Sequence, residues 1–364
     1  MTSMLNQSTH DQIMTQYDER FAEHGRFAER LAGLLRHLVD AAEIKIHSVT
    51  YRVKERESFA QKLTAGERLY TSIEDITDIS GVRVITYFPD DVDQVSDLVA
   101  QEFEVDEEKS VDKRTLIDPE RFGYMSVHYV VKFSPARLAL PEYTAFRDLS
   151  AEVQVRSILQ HAWAEIEHDL GYKSKQAVPT HIRRDFARVS AFLETADRDF
   201  STIRDALSDY SVRVEQRVAA AENDIELDQA SLNAFLGAKG ALKADTAVVH
   251  ALGVKLDRRM KANTEVVLRM LNYFRVSTIG ELSEVLASSI DELAPFLARL
   301  NKIWNRMPAR ERYGSGISVF FLGYYLAARG NDVKQIESYL DALNIEPGDE
   351  RGALVAELAE AAAN

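Results

Sequence analysis

Residues 151–173, AEVQVRSILQHAWAEIEHDLGYK, contain a short run of alternating polar and apolar residues that leads directly into an amphipathic helix. Successive side chains of a strand point to opposite faces, so Glu152, Gln154 and Arg156 share one face. The two intervening valines lie on the other face. A strand with one polar and one apolar face predicts the floor of a polar cleft.

Three earlier segments show the same one-sided alternation and complete a predicted sheet. They span residues 51–54, 81–88 and 123–133. A sheet built from such strands has one face packed against helices and one face exposed to water. The side chains predicted on the exposed face are Arg52, Lys54, Arg83, Tyr124, His128, Glu152 and Gln154.

The residue types on this exposed face favour phosphate chemistry. Arginine binds phosphate in a bidentate manner, and lysine acts as a point charge. Asp78, in the turn before Gly81, and Glu152 offer two hard oxygen ligands for Mg²⁺. Tyr124 follows a glycine that lets a ligand approach closely, and its ring can stack on a nucleobase. Together these groups predict a phosphoryl-type transfer.

The helix after the fourth strand carries His161, Glu165 and His168 on one face, at i, i+4 and i+7. These three residues could bind a metal, but their order differs from the zinc protease motif, in which Glu directly follows the first His. A structural role is therefore favoured. Trp163 and Ile166 are expected to pack inward, while the charged residues brace the floor of the cleft.

Helical periodicity dominates the rest of the chain. Residues 11–42 form a predicted helix, and a helix over residues 91–103 is expected to be capped by Asp90. Strands that alternate with helices indicate an α/β layer in the first part of the chain. From Pro179 onward the helical pattern is nearly unbroken, which predicts an all-helical C-terminal region.

The chain has 364 residues, a formal net charge of −14 and no cysteine. The lack of cysteine excludes disulfides and thiolate metal sites and fits a reducing compartment. No apolar run approaches the roughly 18 residues of a membrane span, and the first residues lack a signal-peptide pattern. We therefore expect a cytoplasmic protein with no membrane partner. The negative charge argues against a general nucleic-acid coat and requires a focused positive patch for an anionic substrate.

Four segments, in order, resemble the synthetase domain of RelA/SpoT-type alarmone synthetases, especially the small members with a single activity. They are YRVKERESFAQKL, DISGVRV, FGYMSVH and EVQVRSILQHAWAEIEHDLGYK. The resemblance implies an α+β fold, with a mixed-sheet nucleotidyltransferase-like domain and flanking helices over residues 1–200. A helical region of unknown role would follow over residues 201–364. Enzymes of this family transfer pyrophosphate from ATP to the 3′-hydroxyl of GDP or GTP.

The resemblance also implies roles on the ATP side of the site. Arg52 and Arg83 look like the residues that hold the adenine, and Lys54 looks like a phosphate contact. Asp78 and Glu152 resemble the Mg²⁺ ligands of the family. Glu152 is in addition the candidate base toward the acceptor hydroxyl.

On the acceptor side, Tyr124 resembles the tyrosine that stacks on guanine, and His128 resembles the histidine that steadies the transferring phosphate. Gln154 resembles an acceptor contact. The family pattern PKxNGYxSLH is altered here, because Glu120 stands at the lysine position and Phe122 at the asparagine position. These changes remove a phosphate contact and a base contact, so the ATP side is better preserved than the acceptor side.

Other functions stay open beside the GDP/GTP pyrophosphokinase. Toxic members of the family modify adenine nucleotides or the 3′ end of tRNA, and the helical region would then hold tRNA or an inhibitory protein. A non-catalytic nucleotide sensor is a further alternative, which Asp78 and Glu152 argue against. No hydrolase activity is expected, because His168-Asp169 lies inside the synthetase helix without an upstream His cluster. Small family members assemble through helices, so a homo-oligomer is expected by resemblance.

Overall fold

The computed structural model describes six stretches of the chain, residues 2–64, 70–112, 126–170, 179–303, 311–345 and 350–363. The chain forms two compact units, Met1–Arg204 and Asp205–Asn364. The functional assignment of residues 1–200 and 201–364 as separate domains stays a prediction.

The first unit combines helices with a sheet. Its helices are α1 (Thr2–Ala41), α2 (Arg56–Thr64), α3 (Pro89–Glu102), α4 (Pro135–Leu138), α5 (Ile158–Asp169) and the first part of α6 (Thr180–Ala219). Its strands are β1 (Ile46–Val53), β2 (Ser80–Thr86), β3 (Phe103–Val105), β4 (Val111–Asp112), β5 (Val127–Phe133) and β6 (Ala151–Ser157).

These strands form one mixed sheet in the order β1-β2-β6-β5-β3, with β4 paired to β5. β2 and β6 run parallel, and the other pairs are antiparallel. The parallel pair lies in the middle of the sheet and requires a long crossover, which includes α3. The predicted mixed sheet with flanking helices is confirmed.

The apolar face of the sheet forms the core of this unit. Val82 and Val84 of β2 and Val153 and Val155 of β6 are at most 1% exposed. They pack with apolar residues of α1 and α3, which recur at helical spacing and so form one stripe on each helix. Because side chains alternate along a strand, burying these valines leaves the polar residues on the opposite face.

The start of α3 differs from the expectation. Pro89 occupies the first helical position, where a missing N–H costs nothing, and Phe88 is the N-cap without a side-chain cap bond. The predicted cap at Asp90 is therefore wrong. Asp90 lies in the first turn, and its carboxylate accepts a hydrogen bond from Arg204 Nη2 at 2.7 Å.

One of the two inward positions predicted in α5 is confirmed. Trp163 is 6% exposed and packs edge-on against Phe186 of α6, with ring centroids 5.5 Å apart. Ile166 is 53% exposed, so the prediction for it is wrong. The buried residues of α5 in the described structure, Gln160 and Trp163, belong to its first half. The helix is held at its start, and Ile166 lies beyond that contact.

The second unit is rich in helices, as predicted. After the end of α6, its helices are α7 (Gln229–Gly237), α8 (Lys239–Leu252), α9 (Thr264–Tyr273), α10 (Ile279–Ile303), α11 (Ile317–Ala328), α12 (Val333–Ala342) and α13 (Glu350–Ala363). Helix α11 is central to the apolar core, because all of its residues except Phe320 are buried.

The described part of this unit also contains a two-stranded parallel sheet, β7 (Lys255–Lys261) with β8 (Arg312–Ser315). The sequence does not predict this sheet, because KLDRRMK lacks the apolar alternation of a half-buried strand. Among the described helices of the whole chain, none has the length and apolar character needed to cross a bilayer.

Candidate active site

The strand register brings the predicted polar residues into two adjacent rows on one face of the sheet. In the first row, Arg52 lies opposite Gly81, and Gly81 lies opposite Glu152. In the second row, Arg83 lies opposite Gln154, and Gln154 lies opposite His128.

Two cavities border this polar face. The small cavity, of about 130 Å³, is lined by Asp78 and Glu152 among others. The large cavity, of about 960 Å³, is lined by residues that include Lys54, His128 and Arg156. Four side chains line both cavities and so form the border between them. These border residues are Arg52, Arg83, Gln154 and Glu165.

Asp78 lies between two lysine side chains. Its Oδ2 atom is 3.1 Å from Lys54 Nζ, and its Oδ1 atom is 2.7 Å from Lys62 Nζ. All three side chains are partly buried, so the two ammonium groups offset the charge of the carboxylate. Strand alternation does not predict Lys62, because this residue comes from α2 and not from a strand. Its position inside the segment YRVKERESFAQKL was the available signal.

Glu152 is held by neighbours on both carboxylate oxygens. His128 Nδ1 donates to Oε1 at 2.6 Å, and Gln154 Nε2 donates to Oε2 at 2.9 Å. His128 Nε2 lies 2.7 Å from Ser126 Oγ. These contacts fix the orientation of the Glu152 carboxylate beside the small cavity.

Arg156 lies beneath the large cavity as a buried cation. It is 5% exposed, and its guanidinium donates to the side-chain oxygen of Gln154. Burial and, to a smaller extent, the nearby positive charge of Arg83 lower the pKa of Arg156 to about 10. Arg156 therefore stays charged at neutral pH and adds positive potential to a cavity lined by other cations.

Glu165 of α5 reaches the border between the cavities. Its Oε1 atom is 2.9 Å from Arg83 Nη1 and 3.6 Å from His161 Nδ1. Burial lowers the pKa of His161, and the charge of Arg83 acts in the same direction, so this imidazole is neutral at pH 7. Among the described residues, no group of three His, Asp or Glu side chains is arranged to hold a metal ion.

The start of α5 is fixed by a capping box. The Oγ atom of Ser157 accepts from the backbone N–H of Gln160 at 3.1 Å, and Gln160 Oε1 accepts from the backbone N–H of Ser157 at 2.8 Å. Ser157 Oγ also donates to Asp197 Oδ2 of α6 at 2.5 Å. This network joins the end of β6 to the start of α5, and both elements carry residues of the site.

The donor set of the small cavity suits a divalent cation. Asp78 and Glu152 both border it with carboxylate oxygens, and both keep cationic or hydrogen-bonding neighbours that hold them in place. Mg²⁺ is commonly bound by one or two carboxylates together with the phosphates of a substrate. The residues present therefore fit Mg²⁺. Tyr124, Glu120 and Phe122 lie outside the described residues, so their expected roles stay predictions.

A polar sheet face that gathers arginines, lysines and two carboxylates around adjoining cavities is typical of a domain that handles phosphorylated ligands. Residues 51–177 match a family model described as a region found in RelA/SpoT proteins. The chain is 30% identical over 162 residues to the GTP pyrophosphokinase YjbM of Bacillus subtilis (strain 168), an alignment that covers 44% of this chain and 72% of that protein.

A second relative is the GTP pyrophosphokinase YwaC of the same organism. It is 30% identical over 149 residues, which cover 39% of this chain and 68% of that protein. The crystal structure of small alarmone synthetase 1 from Bacillus subtilis is 27% identical, with a TM-score of 0.45, and covers 53% of this chain and 98% of that chain. The chain belongs to the RelA/SpoT family, and the resemblance predicted from its four segments is confirmed.

Proposed function

We propose that this chain is an ATP-dependent pyrophosphokinase that transfers pyrophosphate from ATP to the 3′-hydroxyl of GDP or GTP and so makes (p)ppGpp. Its two relatives of about equal similarity are both named GTP pyrophosphokinases, which supports this reaction. The observation that carries the proposal is the small cavity, where two arginines and two carboxylates from three separate segments meet. These residues are Arg52, Asp78, Arg83 and Glu152.

The cations of the site bind the donor. Arg52 and Arg83 border both cavities and present planar guanidinium groups that suit an adenine ring and its phosphates. Lys54 and Lys62 lie beside Asp78 and contact phosphate oxygens of the donor as point charges. The positive charge of Arg156 below the large cavity favours a second anionic nucleotide there.

The transfer is an in-line displacement at phosphorus. The acceptor 3′-oxygen attacks the β-phosphorus of ATP, a new O3′–P bond forms, and the bond from the β-phosphorus to the α,β-bridging oxygen breaks. AMP leaves with that oxygen. Glu152 receives the proton of the hydroxyl, and hydrogen bonds from His128 and Gln154 hold its carboxylate in place. Positioning of both nucleotides supplies most of the rate acceleration.

Asp78 and Glu152 would hold Mg²⁺, which neutralises charge on the donor phosphates when bound. His128 is placed by Glu152 and lies in the large cavity, where it can contact the transferring phosphate. Tyr124 would stack on the acceptor base, and Gln154 would contact the acceptor from the border of the cavities. A cytoplasmic location and a homo-oligomeric state belong to the same proposal.

A transfer assay tests this function. The chain is incubated with ATP labelled at the γ-phosphate and Mg²⁺, together with GDP, GTP, bulk tRNA or no acceptor in separate reactions. We expect label in the guanine nucleotide and an equal amount of AMP, because the γ-phosphate moves with the pyrophosphate. ATP that stays intact with every acceptor would contradict the proposal.

The same assay decides the second candidate function, in which the acceptor is the tRNA 3′ end. The replacement of the usual lysine and asparagine by Glu120 and Phe122 in the acceptor segment favours considering it. Label in tRNA and none in GDP or GTP would establish this alternative. The net charge of −14 weighs against a polyanionic acceptor, which is why guanine nucleotides are preferred.

A further inference from the structure

We propose that Glu165 is a positioning residue for the donor nucleotide, because its carboxylate holds the guanidinium of Arg83 at the border between the two cavities. The inference rests on the proposed function, in which Arg83 binds ATP. It adds a residue from α5 to a donor site that the strands and α2 otherwise build.

The contact joins two different elements. Arg83 comes from β2 and Glu165 from α5, and their side-chain atoms Nη1 and Oε1 are 2.9 Å apart. The side chain of Arg83 is 23% exposed and that of Glu165 is 54% exposed. The capping box of Ser157 and Gln160 fixes where α5 begins. The rotation of the helix then places Glu165, two turns further on, over the second row of the polar face.

Glu165 brings a carboxylate to the border between the two cavities. Arg52 and Arg83 line both cavities, and a carboxylate without a cationic partner at this border would repel nucleotide phosphates. Pairing with Arg83 offsets that repulsion. His161, the other neighbour of Glu165, is neutral at pH 7 and 3.6 Å away, so Arg83 is the cation that the carboxylate holds.

The geometry of a guanidinium explains what the contact achieves. A carboxylate binds the edge of the planar group, which leaves the two flat faces free to stack on an aromatic ring. Arg83 held by its edge can therefore present a face to the adenine of ATP. Without Glu165, Arg83 keeps its charge but loses this orientation, so ATP binding weakens although a negative charge has been removed.

The sign of the effect provides the test. We expect Glu165→Gln to weaken binding of a non-hydrolysable ATP analogue by about two- to fivefold, the range of an exposed ion pair. Binding of GDP should change less. If Glu165 acts only through its charge, the same variant must bind the anionic analogue more tightly. Isothermal titration calorimetry in the presence of Mg²⁺ measures both affinities, and unchanged or tighter binding of the analogue would overturn the inference.

Two further variants make the result specific. Asp169→Asn removes a carboxylate from the exposed end of the same helix, outside the linings of both cavities, and should leave the affinity for the analogue unchanged. Arg83→Lys keeps the charge but removes the planar fork, so Glu165→Gln added to it should cause no further loss. A loss that is the same in both backgrounds would count against orientation of Arg83.

These binding measurements separate the inference from the proposed function. A chain that binds the analogue but transfers no pyrophosphate would contradict the proposed reaction, while the effect of Glu165→Gln would still be readable. A chain that transfers pyrophosphate and binds the analogue equally well with Gln at position 165 would contradict the positioning role alone.

Discussion

The two units of this chain bury their apolar residues in opposite ways. In β6, Val153 and Val155 are fully buried, whereas Glu152 and Gln154 between and beside them are only partly buried. In α11, every residue except Phe320 is buried, so the helix has no polar face. β6 therefore has one face in the core and one face in the site, whereas α11 is surrounded by the core.

This difference indicates where function and stability are encoded. A strand with one wet face can carry ligand-binding groups at alternate positions without disturbing the core behind it. A helix that is buried on all sides has no such position. Substitutions on the polar face of the first unit should therefore change activity at constant stability, and substitutions around α11 should change stability.

The largest effect is expected at Glu152. Glu152→Gln keeps the shape of the side chain but cannot accept the proton of the acceptor hydroxyl, so pyrophosphate transfer should fall about 100- to 10,000-fold. The melting temperature should stay near that of the parent chain, because the residue lies on the wet face. AMP release from ATP and a thermal melt measure the two quantities.

Asp169→Asn on the neighbouring helix is the control for this variant and should keep full transfer activity. Full transfer activity of the Glu152→Gln chain would show that Glu152 does not accept the proton. If the Glu152→Gln chain were inactive because it unfolds, the polar face of the sheet would contribute to stability, contrary to the proposed separation of activity and stability.

A buried carboxylate of the first unit should make stability depend on pH. Asp197 is 3% exposed, and burial raises its pKa from 3.8 to about 7, with Asp90 acting in the same direction. The folded chain thus holds a proton that the unfolded chain has lost between about pH 4 and pH 7. The free energy of unfolding falls as pH rises through that window, by at most about 1.4 kcal/mol per pH unit.

Asp197→Asn should remove this dependence, since an amide can still accept from Ser157 Oγ. Buried His24 has its pKa lowered from 6.5 to about 4 by burial, so it gives the opposite slope as the pH falls below 6.5. His24 contributes equally to the parent chain and to the Asp197→Asn variant, so its contribution cancels when their free energies of unfolding are subtracted. Urea unfolding at pH 5, 6.5 and 8 should show the parent gaining stability relative to Asp197→Asn toward low pH. A constant difference would show that Asp197 does not titrate on folding.

Much of the first unit could be predicted from sequence, because one face of each strand is buried and alternation therefore fixes the orientation of every side chain. Arg83 and Gln154 were placed on the correct face in this way, and the register then made them neighbours. Alternation does not give the register itself. The order of strands that brings Arg52, Glu152 and His128 together was accessible only through the family resemblance.

The contacts of the site that the sequence pattern does not predict come from helices. Lys62 reaches Asp78 from α2, and Glu165 reaches Arg83 from α5, so each contact depends on how a helix is rotated and docked. No local pattern encodes that docking. The sheet of β7 and β8 was missed for a related reason, because its exposed, basic sequence shows no period of two.

The second unit contains a buried polar group whose role is structural. Asp245 is fully buried and accepts hydrogen bonds from the backbone N–H groups of Gly316 and Ser318 and from the hydroxyl of Ser318. It thereby satisfies donors at the start of α11, where the helix itself offers no acceptors. Sequence alone does not distinguish this aspartate from a surface residue of α8.

Asp245→Ala should lower the free energy of unfolding by about 3 kcal/mol, because it leaves buried N–H groups without an acceptor. Catalytic rates of the folded fraction should not change. Urea unfolding and the AMP-release assay test the two statements. A stable chain with reduced turnover would contradict the assignment of Asp245 to structure.

Two glycines in helices of the second unit predict the smallest effects, with opposite signs. A Cβ added to Gly323 of α11 would lie 2.6 Å from Met270 Cγ and would also collide with the hydroxyl of Tyr339. Tyr339 is 2% exposed, and its hydroxyl is attached to a rigid ring, so the hydroxyl cannot move away easily. Gly323→Ala should therefore lower the free energy of unfolding by about 1–3 kcal/mol, the usual cost of overpacking a core.

Gly240 of α8 is the matched position, because a Cβ there would meet no described atom within 4 Å. Gly240→Ala should raise the free energy of unfolding, since alanine loses less backbone entropy in a helix, but by less than the roughly 0.5–1 kcal/mol of a helix interior, because Gly240 is the second residue of α8. The two substitutions are chemically identical and both favour the helix, so opposite signs in the free energy of unfolding would reflect packing at Gly323. If Gly323→Ala stabilised the chain as much as Gly240→Ala, then α11 would have room that its all-round burial denies, and the distinction between the two units would lose its physical basis.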